Sequence, residues 1–332
     1  MAITGCECGR PGRWRQRRRR DTRRRCRRHT RGVPGRFVDP PRWSDVDLTA
    51  ARAEAERLFT QRRRDEGPNA FARACAQVLP QVEAALAASR DLLALTGTVF
   101  RDDPDSWQVF RYVCGPPISQ EDLWTLVGGP KFRSVPEAYA DDTAEALRLV
   151  IDGVRFPWVA EQRPPTDQER ERAVLATTVL RAAQLLGTTR RAEASLRQED
   201  ATAAALAEAG FELDPVRQEL TVLDQLHRGT YSRERKIAGA KCDVPVRLRD
   251  GRLLAVECKV SNGPKNGWKR VNREVAGKAE GWRQQFGNQV VTGVVLAGVF
   301  DLSCLTSAQR AGVWVFWEHD LGPLADFVSS AQ

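Results

Sequence analysis

The sequence predicts an α/β protein, an α-helical N-terminal part followed by a central mixed β-sheet flanked by helices. Three observations carry this. Between about residues 44 and 210, apolar residues recur every three or four positions, the period of an amphipathic helix. After Gly210 short apolar runs with period two alternate with helical stretches, the pattern of a layered α/β fold. No apolar run approaches the roughly 20 residues needed to span a bilayer; VVTGVVLAGVF at 290–300 reads as a buried strand.

The elements follow in order. Ser44 or Asp45 caps a helix over DVDLTAARAEAERLFTQRRRDE, since a short polar side chain can satisfy a free N–H of the first turn. Asn69 caps a second, in which Phe71, Cys75, Val78, Val82 and Leu86 keep helical spacing and Pro80 bends or divides the helix. Residues 97–140, rich in Gly, Pro and Asp, predict short helices and loops, and TAEALRLVIDGV another helix. Thr166 and Glu169 form a capping-box pattern that opens a helix closed by Gly187; residues 190–209 make one more, stopped by Gly210.

Asp214 as cap and Pro215 at the first helical position open a helix over DPVRQELTVLDQLHR. KCDVPVRL and LLAVECKV then read as strands joined by a turn at Arg249-Asp250-Gly251. A helix from about Trp268 to Phe286, the strand VTGVVLAGVF, a short helix at TSAQRAG, the strand VWVFW and a last helix complete the chain. This division gives a helical domain at 37–210 and a sheet-containing domain at 211–332.

Charge is distributed unevenly along the 332 residues. Fourteen of the 52 basic residues, all arginine, and two of the 43 acidic ones lie in residues 1–36, so that segment carries +12 and the rest −3, which together give the net +9. Such a run binds phosphate non-specifically, or is a disordered arm or a start codon assigned too far upstream. Cys6, Cys8, Cys26 and His29 match no familiar zinc spacing. The N-terminus lacks the apolar stretch of a signal peptide, and eight scattered cysteines suit reduced thiols in a cytoplasm.

The hairpin carries the chemistry. Centred on Asp250, it places Asp243 opposite Glu257, Val244 opposite Val256 and Val246 opposite Leu254. Side chains alternate between faces, so Val244, Val246, Leu248, Leu254, Val256, Cys258 and Val260 form one apolar face. The other face gathers Asp243, Glu257 and Lys259, with Arg247 and Arg249 nearer the turn. Opposed carboxylates roughly 5 Å apart repel unless a proton or cation sits between them. A hard divalent ion such as Mg²⁺ resolves that repulsion and can polarise a phosphodiester and lower the pKa of a bound water. Lys259 would orient that water or offset charge in the transition state. The alternative is a wet strand face with a weak charge pair. Pro245 lacks an N–H and requires an edge or a bulge in the first strand.

Asp, a dozen or so residues, then Glu-x-Lys after an apolar strand resembles the PD-(D/E)xK nucleases. The text GTYSRERKIAGAKCDVPVRLRDGRLLAVECKVSNGPKNGWKRVNREVAGKAEGWRQQFG, with VVLAGVFDL and VFWEHDL, resembles the XamI family of type II restriction endonucleases from about Arg42 onward. The resemblance implies a PD-(D/E)xK nuclease-like core that cuts double-stranded DNA at a short, palindromic site with Mg²⁺. It also implies catalytic residues Asp243, Glu257 and Lys259, with Asp243 and Glu257 as metal ligands and Cys242 where the motif has proline. An additional acid from the preceding helix is expected, with Glu219 the candidate and Glu212 and Glu234 competing.

On the helix after the hairpin, Trp268, Val271, Val275, Ala279, Trp282 and Phe286 form a packing stripe. Lys265, Asn266, Lys269, Arg270, Asn272 and Arg273 suit contact with nucleic acid, as do Arg233, Arg235 and Lys236. His319, at a strand end, is a structural residue or a ligand. The function expected is restriction in the cytoplasm by a homodimer, with a cognate DNA methyltransferase as genetic partner. A structure-selective or repair nuclease and a non-catalytic nucleic-acid-binding protein are the competing readings.

Overall fold

Two helices of more than 40 residues each tie a helical layer to a sheet. The computed structural model describes residues 37–332, so the expectations for residues 1–36 lie outside the described residues. Helix α1 (Asp45–Ala88) is followed by α2 (Gly97–Asp102), α3 (Trp107–Phe110), α4 (Gln120–Val127), α5 (Ala140–Arg148) and α6 (Pro157–Ala160), and then by α7 (Asp167–Glu208). The cap expected at Ser44 or Asp45 is Ser44, which forms a capping box with Asp47, and the expected capping box of Thr166 and Glu169 is present. The Ser44 hydroxyl accepts from the Asp47 N–H, and the Thr166 hydroxyl from the Glu169 N–H, whose carboxylate returns to the Thr166 N–H at 2.8 Å.

Four expected breaks in the helical region are corrected. The chain does not restart at Asn69, nor divide at Pro80: α1 runs unbroken through Pro68 and Pro80. It does not close at Gly187 or reopen at 190: α7 runs through both. The reason is packing on two layers. Val78, Val82 and Leu86 of α1 and Ala173 and Ala182 of α7 build a helical core with Phe100, Phe110 and Trp158. The other halves leave that core: Leu48 and Ala55 of α1 pack on one face of the sheet, and Ala203 and Leu206 of α7 on the opposite face. Burial along such lengths outweighs about 1 kcal/mol for an interior glycine and about 3 for a proline.

The sheet follows α7. Its strands are β1 (Glu212–Leu213), β2 (Thr230–Tyr231), β5 (Val244–Arg247), β6 (Leu253–Asn262), β7 (Val290–Val299) and β8 (Val313–Trp317), in that spatial order; β3 (Arg235–Ile237) and β4 (Ala240–Cys242) form a separate two-stranded ribbon. β5 is antiparallel to β2 and β6, while β1–β2 and β6–β7–β8 are parallel, which makes the sheet mixed. The hairpin register is as read: Val244 pairs with Val256 and Val246 with Leu254. Pro245 lies in an inner strand, without the edge position expected, and is tolerated because it stands where the β2 pairing ends: the Ser232 N–H still donates to its carbonyl at 2.9 Å, and its missing N–H forgoes only the return bond.

Residues 214–228 are not the helix expected from Asp214 and Pro215. They form irregular chain with one short turn at Leu223–Gln225. Arg235, buried at 3 % exposure, explains this. Its guanidinium donates to the carbonyls of Gln218 and Gln225 and pairs with Asp214. A buried side chain thus satisfies backbone groups that a helix would have paired internally. Arg235 is therefore a structural brace and not a nucleic-acid contact.

After the hairpin, α8 (Pro264–Trp268) continues through a widened π-type stretch at Lys269–Val275 into α9 (Ala276–Phe286). Helices α10 (Leu302–Arg310) and α11 (Gly322–Ser330) complete the layers. Val271, Val275 and Ala279 pack on β7 and β8, and Trp282 beneath Leu253 and Ala255. No helix among the described residues is long and apolar enough to cross a membrane.

Candidate active site

Asp243 occupies the single residue between β4 and β5, where the chain leaves the ribbon and joins the sheet. The main-chain ladder of the hairpin stops at Val244, and the Asp243 side chain supplies the next bond. Its Oδ2 accepts from the Cys258 N–H at 2.7 Å. The carboxylate is thereby fixed against β6 beside the residue that sequence geometry set opposite it, Glu257.

Lys259 joins the two. Its Nζ lies 2.9 Å from Asp243 Oδ2 and 2.7 Å from Glu257 Oε2, and donates at 3.2 Å to the Cys258 carbonyl. Glu257 is fully buried. Its carboxylate also accepts from Lys278 of α9, whose Nζ stands 2.9 and 2.8 Å from the two oxygens and 2.6 Å from the Lys241 carbonyl. Two carboxylates and two ammonium groups thus neutralise one another in a closed cluster. Burial raises the Glu257 pKa, Asp243 adds to that, and the two lysines oppose it. Burial also works against the charge on Lys259, but Glu257 and Asp243 outweigh it and hold the ammonium above the ordinary lysine range.

Lys278 was not foreseen, and Trp282 four residues on explains its placement. The Trp282 indole donates to the Ile237 carbonyl of β3 at 3.0 Å. One face of α9 therefore grips the β3–β4 ribbon at two points, one turn apart, and sets the junction that carries Asp243. Cys258, between Glu257 and Lys259, faces the opposite layer. It is 5 % exposed, and burial raises its thiol pKa, as expected of an inert core residue.

Glu219 does not occupy the place of a helix-borne acid. Glu219 lies on no helix, because 214–222 is irregular, and its Oε1 accepts from the Gly239 N–H at 2.5 Å. Glu212 is exposed at the start of β1, and Glu234 pairs with Lys241 at 2.8 Å. The acid in the field of Asp243 is Glu199 of α7, which accepts from the Ser195 hydroxyl at 3.1 Å. Burial raises its pKa, and the nearby Asp243 charge raises it further. No local signal in the sequence separates Glu199 from the other acids of α7.

Among the expected nucleic-acid contacts, Lys265, Asn266, Lys269 and Arg273 are exposed and Arg270 is half-buried. Asn272 has a structural task, its amide donating to the Cys304 carbonyl at 3.1 Å and fastening the π-type stretch to α10. Arg233 pairs with Asp200 at 2.6 Å, and Lys236 is exposed. His319 stands tilted against Trp317 with ring centroids 5.6 Å apart, and partial desolvation of its ring lowers its pKa.

A hard cation fits the donor set. Asp243, Glu257 and the Cys258 carbonyl offer three oxygens to one point that already attracts an ammonium, and all-oxygen donors suit Mg²⁺ or Ca²⁺ over soft metals. No group of three or more His, Cys, Asp and Glu side chains among the described residues forms a metal cage, and Mg²⁺ ordinarily keeps several waters.

Comparison with known proteins bears on the greater part of the chain. A sequence profile described as XamI restriction endonuclease matches residues 90–317. The type II restriction enzyme XamI of Xanthomonas campestris pv. amaranthicola is 40% identical over 191 residues, covering 55% of this chain and 69% of that protein. No solved structure matches.

Proposed function

The chain belongs to the XamI restriction endonuclease family and is a type II restriction endonuclease, and we propose that Asp243, Glu257 and Lys259 form its hydrolytic centre, acting with Mg²⁺ on double-stranded DNA. One observation carries the assignment: a single ammonium, that of Lys259, lies within ion-pair distance of two carboxylates, Glu257 on β6 and Asp243 at the residue that leads into β5.

Asp243 and Glu257 would hold the metal, with the Cys258 carbonyl as a further oxygen. When bound, Mg²⁺ supplies Lewis-acid polarisation of the phosphate and acidifies water. The protein's own groups do the rest. Lys259 donates hydrogen bonds to the attacking water or to a non-bridging phosphate oxygen, where negative charge grows as the water attacks phosphorus and the sugar oxygen leaves. Lys278 keeps the buried Glu257 carboxylate ionised and aimed, since an unpaired buried charge would otherwise take up a proton. Glu199 is the acid on the helix side of Asp243, in place of Glu219. Lys265, Asn266, Lys269, Arg270 and Arg273 contact the DNA flanking this centre.

A palindromic target requires two centres related by a dyad, so the enzyme works as a homodimer. It acts in the cytoplasm beside a methyltransferase that protects the host's own sites. Digestion of a long, sequenced DNA with and without Mg²⁺, followed by mapping of the ends, tests the reading. Discrete fragments whose ends share one short sequence are expected; a smear, or equal cutting in chelator, would count against it.

A further inference from the structure

Between α1 and α7, where the parallel strands β6 and β7 end, lies a cleft of about 650 Å³. Six arginines line it, Arg62 and Arg63 from α1, Arg190, Arg191 and Arg197 from α7, and Arg270 beyond the hairpin, against three glutamates. Arg62 and Arg197 converge on Glu318, at 3.3 and 2.9 Å, and that side chain is only 9 % exposed. Arg63 lies over the Phe59 ring and Arg190 donates to the Gly67 carbonyl. Neither of these, nor Arg191 nor Arg270, has an ion-pair partner among the described residues. Gathering unpaired guanidinium groups in one concavity costs repulsion that an anion relieves.

The cleft meets the candidate centre only at strand β6 and helix α7. Cys258 and Val260 line it from the face of β6 opposite Lys259, and so does Ser195 of α7, whose hydroxyl holds Glu199, while Asp243, Glu257 and Lys259 lie on the other face of the strand. The planar fork of arginine suits phosphate oxygens in pairs. We propose that this cleft receives the sugar–phosphate backbone of DNA to one side of the bond being cut. Arg63 and Arg191 contact phosphates directly, and Glu318 holds Arg62 and Arg197 in place until a phosphate competes for them. The proposal rests on the nuclease reading above and gives a task to the helical layer, whose sequence declares no chemistry.

The test is duplex binding by fluorescence anisotropy in chelator across a range of salt, for the wild type, Arg63→Ala/Arg191→Ala and a control pair, Arg148→Ala/Arg172→Ala, exposed outside the cleft. Each phosphate contact contributes about one unit of salt slope. The cleft pair should lose at least about tenfold in affinity at about 100 mM salt and about two units of slope, with an unchanged melting temperature. Arg63→Lys/Arg191→Lys, which keeps the charge, should recover most of the slope. Equal affinity and slope for the cleft and control pairs would overturn the proposal. So would pyrophosphate binding at micromolar concentration with no loss of duplex affinity in the cleft pair, the mark of a small-anion site. Cleavage assayed in parallel separates the two claims. If Mg²⁺-dependent cutting is present while the cleft variants bind normally, only the cleft assignment falls; if cutting is absent, the nuclease reading falls.

Discussion

Lys278 of α9 places its Nζ 2.9 and 2.8 Å from the two carboxylate oxygens of Glu257, which no solvent reaches. Removing one member of a buried ion pair costs about 3–5 kcal/mol, because the other is left without compensation. Lys259 remains within 2.7 Å of Glu257, so Lys278→Met should lower unfolding stability by about 3 kcal/mol, the lower end of that range. Urea denaturation reads this directly. A loss below about 1 kcal/mol, the size of an exposed pair, would mean that Lys259 alone satisfies the carboxylate.

Glu199 and Glu219 separate by function. Glu199 lies in the field of Asp243, whereas Glu219 fastens the Gly239 N–H in the ribbon turn. Glu199→Gln should slow DNA cleavage by at least about tenfold, the usual effect of disturbing groups that support a metal site. Glu219→Gln should leave the rate within about twofold. The reverse order in single-turnover rates would restore Glu219.

His319 gives a stability signal with a definite sign. Although the residue is exposed, partial desolvation of its ring lowers its pKa below the ordinary 6.5, with Glu54, Asp320 and Glu318 opposing. The unfolded chain therefore takes up this proton at higher pH than the folded one. Stability is full above the ordinary value and declines as pH falls through the lowered one. His319→Gln should shrink the drop in urea midpoint between about pH 7.5 and pH 5.5; an unchanged drop would assign it to other groups.

Gly298 lines the arginine cleft on β7 with φ of 94°, and a Cβ there would collide with the Ser261 carbonyl. Backbone strain of about 1–3 kcal/mol adds to that clash, so Gly298→Ala should cost at least about 2 kcal/mol in thermal or urea unfolding. Gly187→Ala, in open space within α7, should instead stabilise by about 0.5–1 kcal/mol.

The hairpin was legible because its signals are local. A turn at Asp250 fixes the register, period two divides the faces, and the Asp243, Glu257 and Lys259 cluster follows. Lys278 and Glu199 were hidden for the opposite reason. They reach the site from helices 21 and 58 residues distant from Glu257 in sequence, and only packing decides which of a helix's charged residues faces inward. The same cause joined α1 across Pro68 and Pro80 and α7 across Gly187. Local breakers predicted ends, but burial on two layers overrode them. At 214–228 the error ran the other way. Good capping chemistry predicted a helix, and one buried arginine, Arg235, satisfied the backbone without it.

The most direct measurement is cleavage of one DNA, in Mg²⁺, by the wild type, Asp243→Asn and Lys259→Ala. Removing a residue that acts as part of a catalytic unit costs several orders of magnitude in rate. Both variants should therefore leave the DNA intact, with nicking down at least about 10³-fold, while binding the duplex with near wild-type affinity. Nicking that survives in both would contradict the assignment of the hairpin as the hydrolytic centre.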